Sequence, residues 1–128
     1  MTTPLKPQPR AIRPRNKAAL RRQDPEKHAL EADIEGPVVA YAKEQGFYVA
    51  KFTSPSNRSR PDRLFVLGPF AFFIEFKAPG ETASPGQQKE HEKIRAAGGL
   101  VFVIDNVDRG EEIIDRMKGM IDKMWISE

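Results

Sequence analysis

The sequence predicts an α/β fold: helical elements first, three mostly antiparallel strands, a crossover helix, a parallel fourth strand and a C-terminal helix. Three observations carry this. Arg63–Leu67 and Phe70–Phe76 are rich in β-branched and aromatic residues and flank Gly68-Pro69, a turn signal, so they read as a hairpin. Ser84-Pro85-Gly86-Gln87 has the form of a capping box opening a helix. Leu100–Asp105 is a short apolar run, and a strand-helix-strand order calls for a parallel pair joined by a right-handed crossover.

Each element has its own local reason. Asp24-Pro25 reads as an N-cap followed by proline at the first helical position, opening an amphipathic stretch to about Gln45 that stops at Gly46. Pro37 cannot donate to the carbonyl of Asp33, so a kink or two short helices are expected near Glu35-Gly36. Phe47–Thr53 reads as the first strand and Ser54–Arg60 as a polar loop. After the hairpin, Ala78–Ala83 is a loop, and the helix opened by Ser84 runs to about Ala97. Gln87, His91, Ile94 and Gly98 share one face of it, which Ile94 marks as inward. Asp108, with Glu111 three positions later, is expected to cap the last helix. Its stripe of Ile113, Met117, Met120, Ile121, Met124 and Trp125 suits either core packing or a homodimer contact.

Composition narrows the class. With 128 residues and 39% hydrophobic content the chain builds one modest core. Cysteine is absent and only His28 and His91 are present, which excludes disulfides and thiolate sites and argues against a histidine-rich zinc site. No apolar run approaches the roughly 18 residues of a membrane span, so a soluble, intracellular, cytoplasmic protein without a membrane partner is expected. The formal charge of +3 is unevenly spread. Residues 1–28 hold eight Lys and Arg against Asp24 and Glu26, while the rest of the chain is slightly acidic. Residues 1–23 therefore form a basic, proline-rich arm, and 24–128 form the folded domain. Arg13, Arg15, Arg21 and Arg22 of the arm suit a polyanion such as DNA, the alternative being a merely solvated leader.

The chemistry sits in the hairpin. A turn centred between Gly68 and Pro69 places Asp62 opposite Glu75, and the two-residue period sends Glu75 and Lys77 to one face. Facing carboxylates repel unless a cation lies between them, and Mg²⁺ or Mn²⁺ is the simplest occupant. With a lysine beside such an ion, the arrangement is that of a phosphodiester-hydrolysing site. The plainer alternative is a turn acid next to a solvated strand. Against it, aromatics on both faces of Phe70–Phe76 suggest burial on both sides, and buried charges need partners. Lys51, Arg58, Arg60 and Arg63 lie next to the site in sequence and are candidates for gripping the phosphate backbone of DNA, or are ordinary surface charge. Gln87 is either a capping residue or a member of the site.

Glu31-Ala-Asp-Ile-Glu35, Arg60-Pro-Asp-Arg63, Phe73-Ile-Glu-Phe-Lys-Ala-Pro-Gly80, Ser84-Pro-Gly-Gln87 and Ala97-Gly-Gly-Leu-Val-Phe-Val103 occur in this order within about 75 residues. Together they resemble the VRR-NUC branch of the PD-(D/E)xK nuclease superfamily. The resemblance implies a restriction-endonuclease-like core of order αβββαβ(α), with a mixed four-stranded sheet flanked by helices. It also implies metal-dependent cleavage of DNA, often branched or flapped. Carried onto these positions, it makes Asp62 and Glu75 metal ligands, with the Phe76 carbonyl completing the shell. It makes Lys77 the residue that positions the water, and brings Gln87 and Glu31 into the site. Glu35 lies one turn beyond Glu31 and is the alternative to it. Ser59 departs from the pattern, standing where the family commonly has glycine. The rival readings are a non-catalytic nucleic-acid-binding or assembly protein on the same scaffold, and a nuclease acting on RNA.

Overall fold

The computed structural model describes residues 25–126, which form helix α1 (Pro25–Glu44), strands β1 (Tyr48–Lys51), β2 (Arg63–Leu67) and β3 (Phe70–Phe76), helix α2 (Pro85–Ala96), strand β4 (Leu100–Ile104) and helix α3 (Val107–Ile126). The four strands make one sheet in the order β1-β2-β3-β4. The first three are antiparallel, and β4 joins parallel to β3 through the α2 crossover. Asp24, the basic arm with Arg13, Arg15, Arg21 and Arg22, and the side chain of Trp125 lie outside the described residues.

The expected hairpin register is realised: Arg63 pairs with Ile74, Phe65 with Phe72 and Leu67 with Phe70. One face of the sheet carries Phe65, Phe72, Ile74, Phe76 and Ile104. These pack with Ile34, Val38, Val39 and Ala42 of α1 and Ile113, Ile114 and Met117 of α3 into the core. Phe65 and Phe72 stack with ring centroids 5.2 Å apart, and Phe47 meets Phe72 edge-on. The opposite face is covered by α2, whose Gln87 and His91 are buried, but only toward β4. The strand is thus buried on both sides at Ile74–Phe76 and not along its whole length, since Ala71 is exposed and Phe73 half-buried.

Three expectations are corrected. Of the two outcomes expected at Pro37, the division into two short helices is not seen, and the first helix runs as one element through it. The residue before it is Gly36, which has no Cβ to clash with the proline ring, and Asp33 is exposed, so water can reach the backbone near the missing donor. Core residues on both sides of Pro37 then hold one helix together. The last helix is capped by Asn106 rather than Asp108: the Asn106 Oδ1 accepts the Arg109 amide at 2.8 Å, starting the helix at Val107. The first strand is shorter than expected, ending at Lys51. The apolar stripe of α3 divides, with Ile113, Met117 and Ile121 buried and Met120 and Met124 exposed.

α3 approaches the sheet closely at Gly110, where an added Cβ would lie 2.5 Å from Val38 Cγ2 and 2.8 Å from Ile104 Cδ1, whereas around Gly119 there is open space. Gly110→Ala is expected to cost roughly 1–3 kcal/mol, and Gly119→Ala to add up to about 1 kcal/mol through helix propensity. Opposite shifts of the urea midpoint are the check. Between α1 and α3, the Tyr41 hydroxyl donates to Asp115, and this bond, with partial desolvation, pushes the phenol up to about 12. A folded value above the unfolded one means that the bond contributes fully below about pH 10 and is lost as pH rises toward about 12. In a Tyr48→Phe background, absorbance at 295 nm should titrate near pH 12, and Asp115→Ala should bring the midpoint down.

Candidate active site

The site exists because β3 outruns its neighbour. β2 begins at Arg63, paired with Ile74, so Glu75 and Phe76 extend beyond it. Asp62 fills the gap, preceded by the fully buried Pro61, whose ring fixes the backbone. The Asp62 Oδ2 accepts the Phe76 amide at 2.8 Å, so the carboxylate takes over where the backbone ladder stops. On the other side, the Asp62 carbonyl receives the amide of Phe52 at 2.9 Å. In a strand the N–H and C=O of one residue point the same way, which leaves the Phe76 carbonyl on the Asp62 side.

Glu75 is only 1% exposed and Asp62 7%. A buried carboxylate must be compensated by donors, and Glu75 has two on its Oε2: the Gln87 amide at 3.0 Å and the Lys77 ammonium at 3.7 Å. Gln87 makes the cap bonds and also bonds Glu75. Its Oε1 accepts the Ser84 amide at 2.9 Å, Ser84 Oγ accepts the Gln87 amide at 3.1 Å, and its Nε2 remains for Glu75. The two needs fix the amide orientation, since only oxygen can face the Ser84 N–H and only nitrogen the carboxylate. His91, one turn on, is buried on the same face. The loop after Lys77 is fastened by the Lys77 amide to the Ile104 carbonyl at 2.9 Å and by the Gly80 amide to Asp105 Oδ2 at 2.8 Å. The Gly80 bond, helped by Asn106, lowers the Asp105 pKa.

Among the described residues no three His, Asp or Glu side chains form a ready-made cage for an ion. What the register does place side by side is Asp62, Glu75 and the Phe76 carbonyl. Two carboxylates and a carbonyl suit a hard divalent ion such as Mg²⁺, which keeps several waters and takes few protein ligands.

The remaining candidates separate. Arg63 shares the core-side face with Ile74, and its Nε lies 2.5 Å from Glu35 Oε2, so this pair joins α1 to β2 on the far side of the sheet from Glu75. Glu31 is half-buried one turn nearer the helix start. Lys27, a turn earlier again, reaches Glu81 at 2.8 Å, which sets the beginning of α1 against the loop that follows Lys77. Lys51 is exposed at the sheet edge, paired with Arg63, and Arg58 is exposed in the loop before Pro61. Arg60 lies 5.5 Å from the Phe52 ring centroid and 3.9 Å from Glu90. Ser59 finds its room from the opposite side, because a Cβ at Gly86 would stand 3.0 Å from the Ser59 Oγ. Sequence reasoning did not find the Asp105 loop tie or the Glu35–Arg63 pair, and neither has a local signal.

The comparisons fit this geometry. No model of a protein family matches the chain. A phage protein named "Putative nuclease p44", from Acyrthosiphon pisum secondary endosymbiont phage 1, is 40% identical over 79 residues, which span 61% of this chain and 85% of that protein. A solved structure described as a VRR_NUC domain superposes with a TM-score of 0.62 at 25% identity, covering 66% of this chain and 94% of the other. The chain belongs to the VRR-NUC nuclease family. It is accordingly a nuclease, an enzyme that hydrolyses nucleic acids.

In this VRR-NUC domain the helix cap and the buried acid depend on one side chain, and that can be measured. Ser84→Ala should cost about 1 kcal/mol, the usual loss of an N-cap. Gln87→Ala should cost roughly 1–3 kcal/mol more, because Glu75 loses its neutral donor. In a Glu75→Ala background the extra cost should vanish, which a double-mutant cycle in urea would read.

Proposed function

We propose that this chain is an Mg²⁺- or Mn²⁺-dependent DNA endonuclease selective for branched, flapped or junction DNA. The observation that carries the reading is the pair of buried carboxylates, Asp62 and Glu75, at the end of β3 with Lys77 3.7 Å from Glu75. Asp62, Glu75 and the Phe76 carbonyl would hold the ion, which when bound acidifies water and neutralises charge growing on a phosphoryl oxygen. Lys77 orients the attacking water and helps remove its proton. Gln87 and Lys77 hold the Glu75 carboxylate in place, so that the acid is pre-set before substrate arrives. With Glu35 committed to Arg63, Glu31 is the acid that α1 contributes.

Arg58 and Arg60 grip the phosphate backbone, Lys51 lying on the same side of the sheet as Arg63, and the basic arm adds affinity independent of sequence. Arg63 is left out of this set, since it is ion-paired with Glu35 on the other face. A second copy meeting the exposed Met120 and Met124 of α3 would bring two sites together.

The test is cleavage of labelled linear, flapped and four-way-junction DNA with Mg²⁺, Mn²⁺ or EDTA. Cutting should require the metal and favour the branched substrates. Glu75→Ala and Lys77→Ala should each lower the rate by at least about a hundredfold, in the range that general acid-base groups supply, while DNA binding measured in EDTA stays close to wild type. Binding with no cutting under either metal would leave only a nucleic-acid-binding role.

A further inference from the structure

Beside the carboxylates lies an aromatic surface that the cleavage chemistry does not use. Phe52 continues β1 past Lys51, and its amide bonds to the Asp62 carbonyl at 2.9 Å. Phe73 stands two residues before Glu75 on β3 and therefore shares its face. The two rings lie 4.8 Å apart between centroids, tilted by 41°, and the Arg60 guanidinium stands 5.5 Å from the Phe52 centroid. Neither ring belongs to the core, which packs on the other side of the sheet. Both are half-buried, and the Arg60 side chain is 38% exposed. Among the described residues, α2 packs on this face toward β4 and does not reach across to the β1–β2 side.

Aromatic rings joined to an arginine plane, partly wet and beside a phosphate-cleaving site, are what single-stranded nucleic acid stacks on. The Phe52–Asp62 hydrogen bond makes this surface continuous with the site, so a strand whose phosphate lies at Asp62 and Glu75 carries its neighbouring base across the rings. In an intact duplex the base faces are stacked on one another and only backbone could arrive. An unpaired base presents its face.

We infer that Phe52, Phe73 and Arg60 form a stacking platform for an unpaired base next to the scissile phosphate, and that this platform is what selects branched or flapped DNA. The inference rests on the nuclease reading of the site given above.

The experiment uses a flapped DNA carrying 2-aminopurine at successive single-stranded positions near the branch, with the full chain, in EDTA. Wild type should quench the probe at one or two adjacent positions. Phe52→Leu, which keeps apolar bulk and removes the ring, should lose that quench and weaken flap binding about tenfold, with duplex binding nearly unchanged. Arg60→Lys, which keeps the charge and loses the plane, should weaken the quench in the same positions. Phe52→Trp enlarges the ring at a partly exposed position and should deepen it, a check that does not depend on truncation. Wild-type quenching by both Phe52→Leu and Phe73→Leu, or equal weakening of flap and duplex, would overturn the platform. Mg²⁺-dependent cutting by wild type, run alongside, separates the two readings. Cutting without ring-dependent quenching removes the platform alone, and ring-dependent quenching without cutting removes the nuclease chemistry alone.

Discussion

The arrangement depends on placing the carboxylate of Glu75 inside the protein. At 1% exposure that carboxylate needs partners, and Lys77 at the end of the same strand and Gln87 at the start of α2 come to it from different elements. The demand then spreads outward. For Gln87 to reach Glu75, α2 must begin at Pro85, and the Ser84 cap makes it begin there with the same side chain. For Lys77 to stay near, the following loop must be fixed, which the Ile104 carbonyl and Asp105 accomplish from the neighbouring β4 side. Helix start, loop and strand end are fixed together, so the geometry of the acid is set by several weak local preferences acting at once.

A second constraint is that the sheet has two unlike faces. α1 and α3 close one of them over a continuous apolar cluster, with Glu35–Arg63 and Tyr41–Asp115 bridging its polar margin. Among the described residues the other face is covered by α2 toward β4, and the catalytic candidates stand beside that cover. That position resolves a conflict. Acids need desolvation and fixed partners to be held rigidly, while a polymeric substrate needs an open approach, and a half-covered sheet supplies both within a few residues.

What could be read from the sequence follows the range of the interactions. The hairpin register, which one step further sets Asp62 level with Glu75, was legible because a turn and a two-residue alternation determine it over 14 residues. The Ser84–Gln87 box was legible for the same reason, and the amide, having two ends, caps the helix with one and bonds Glu75 with the other. Two helices at Pro37 are not formed: the rule counts a lost hydrogen bond and a ring clash but not the missing Cβ of Gly36 or a core that grips the helix on both sides. Asn106 was overlooked for Asp108 because both are good caps and only the chain path after β4 chooses between them. Contacts such as Gly80 with Asp105 and Phe52 with Phe73 join residues 20 or more positions apart, and no local pattern announces them.

Arg63 shows how the same alternation that reveals the site also limits it. Standing next to Asp62 in the chain, it looks like part of the site, yet adjacent strand residues point to opposite faces, and Arg63 accordingly meets Glu35 on the core side. Lys51, its partner across the β1–β2 ladder, belongs to that side as well. Among the described residues around the carboxylates, the cations left to the open face are therefore Lys77 and those of the loop before Pro61, Arg58 and Arg60. A polyanion drawn to this face meets positive charge from the loop side first, and Arg60 stands there against the Phe52 ring. Charge brings the backbone in from the direction in which the aromatic surface lies, so in the proposed reaction the attraction that every nucleic acid feels and the stacking that only an unpaired base can make act at the same place.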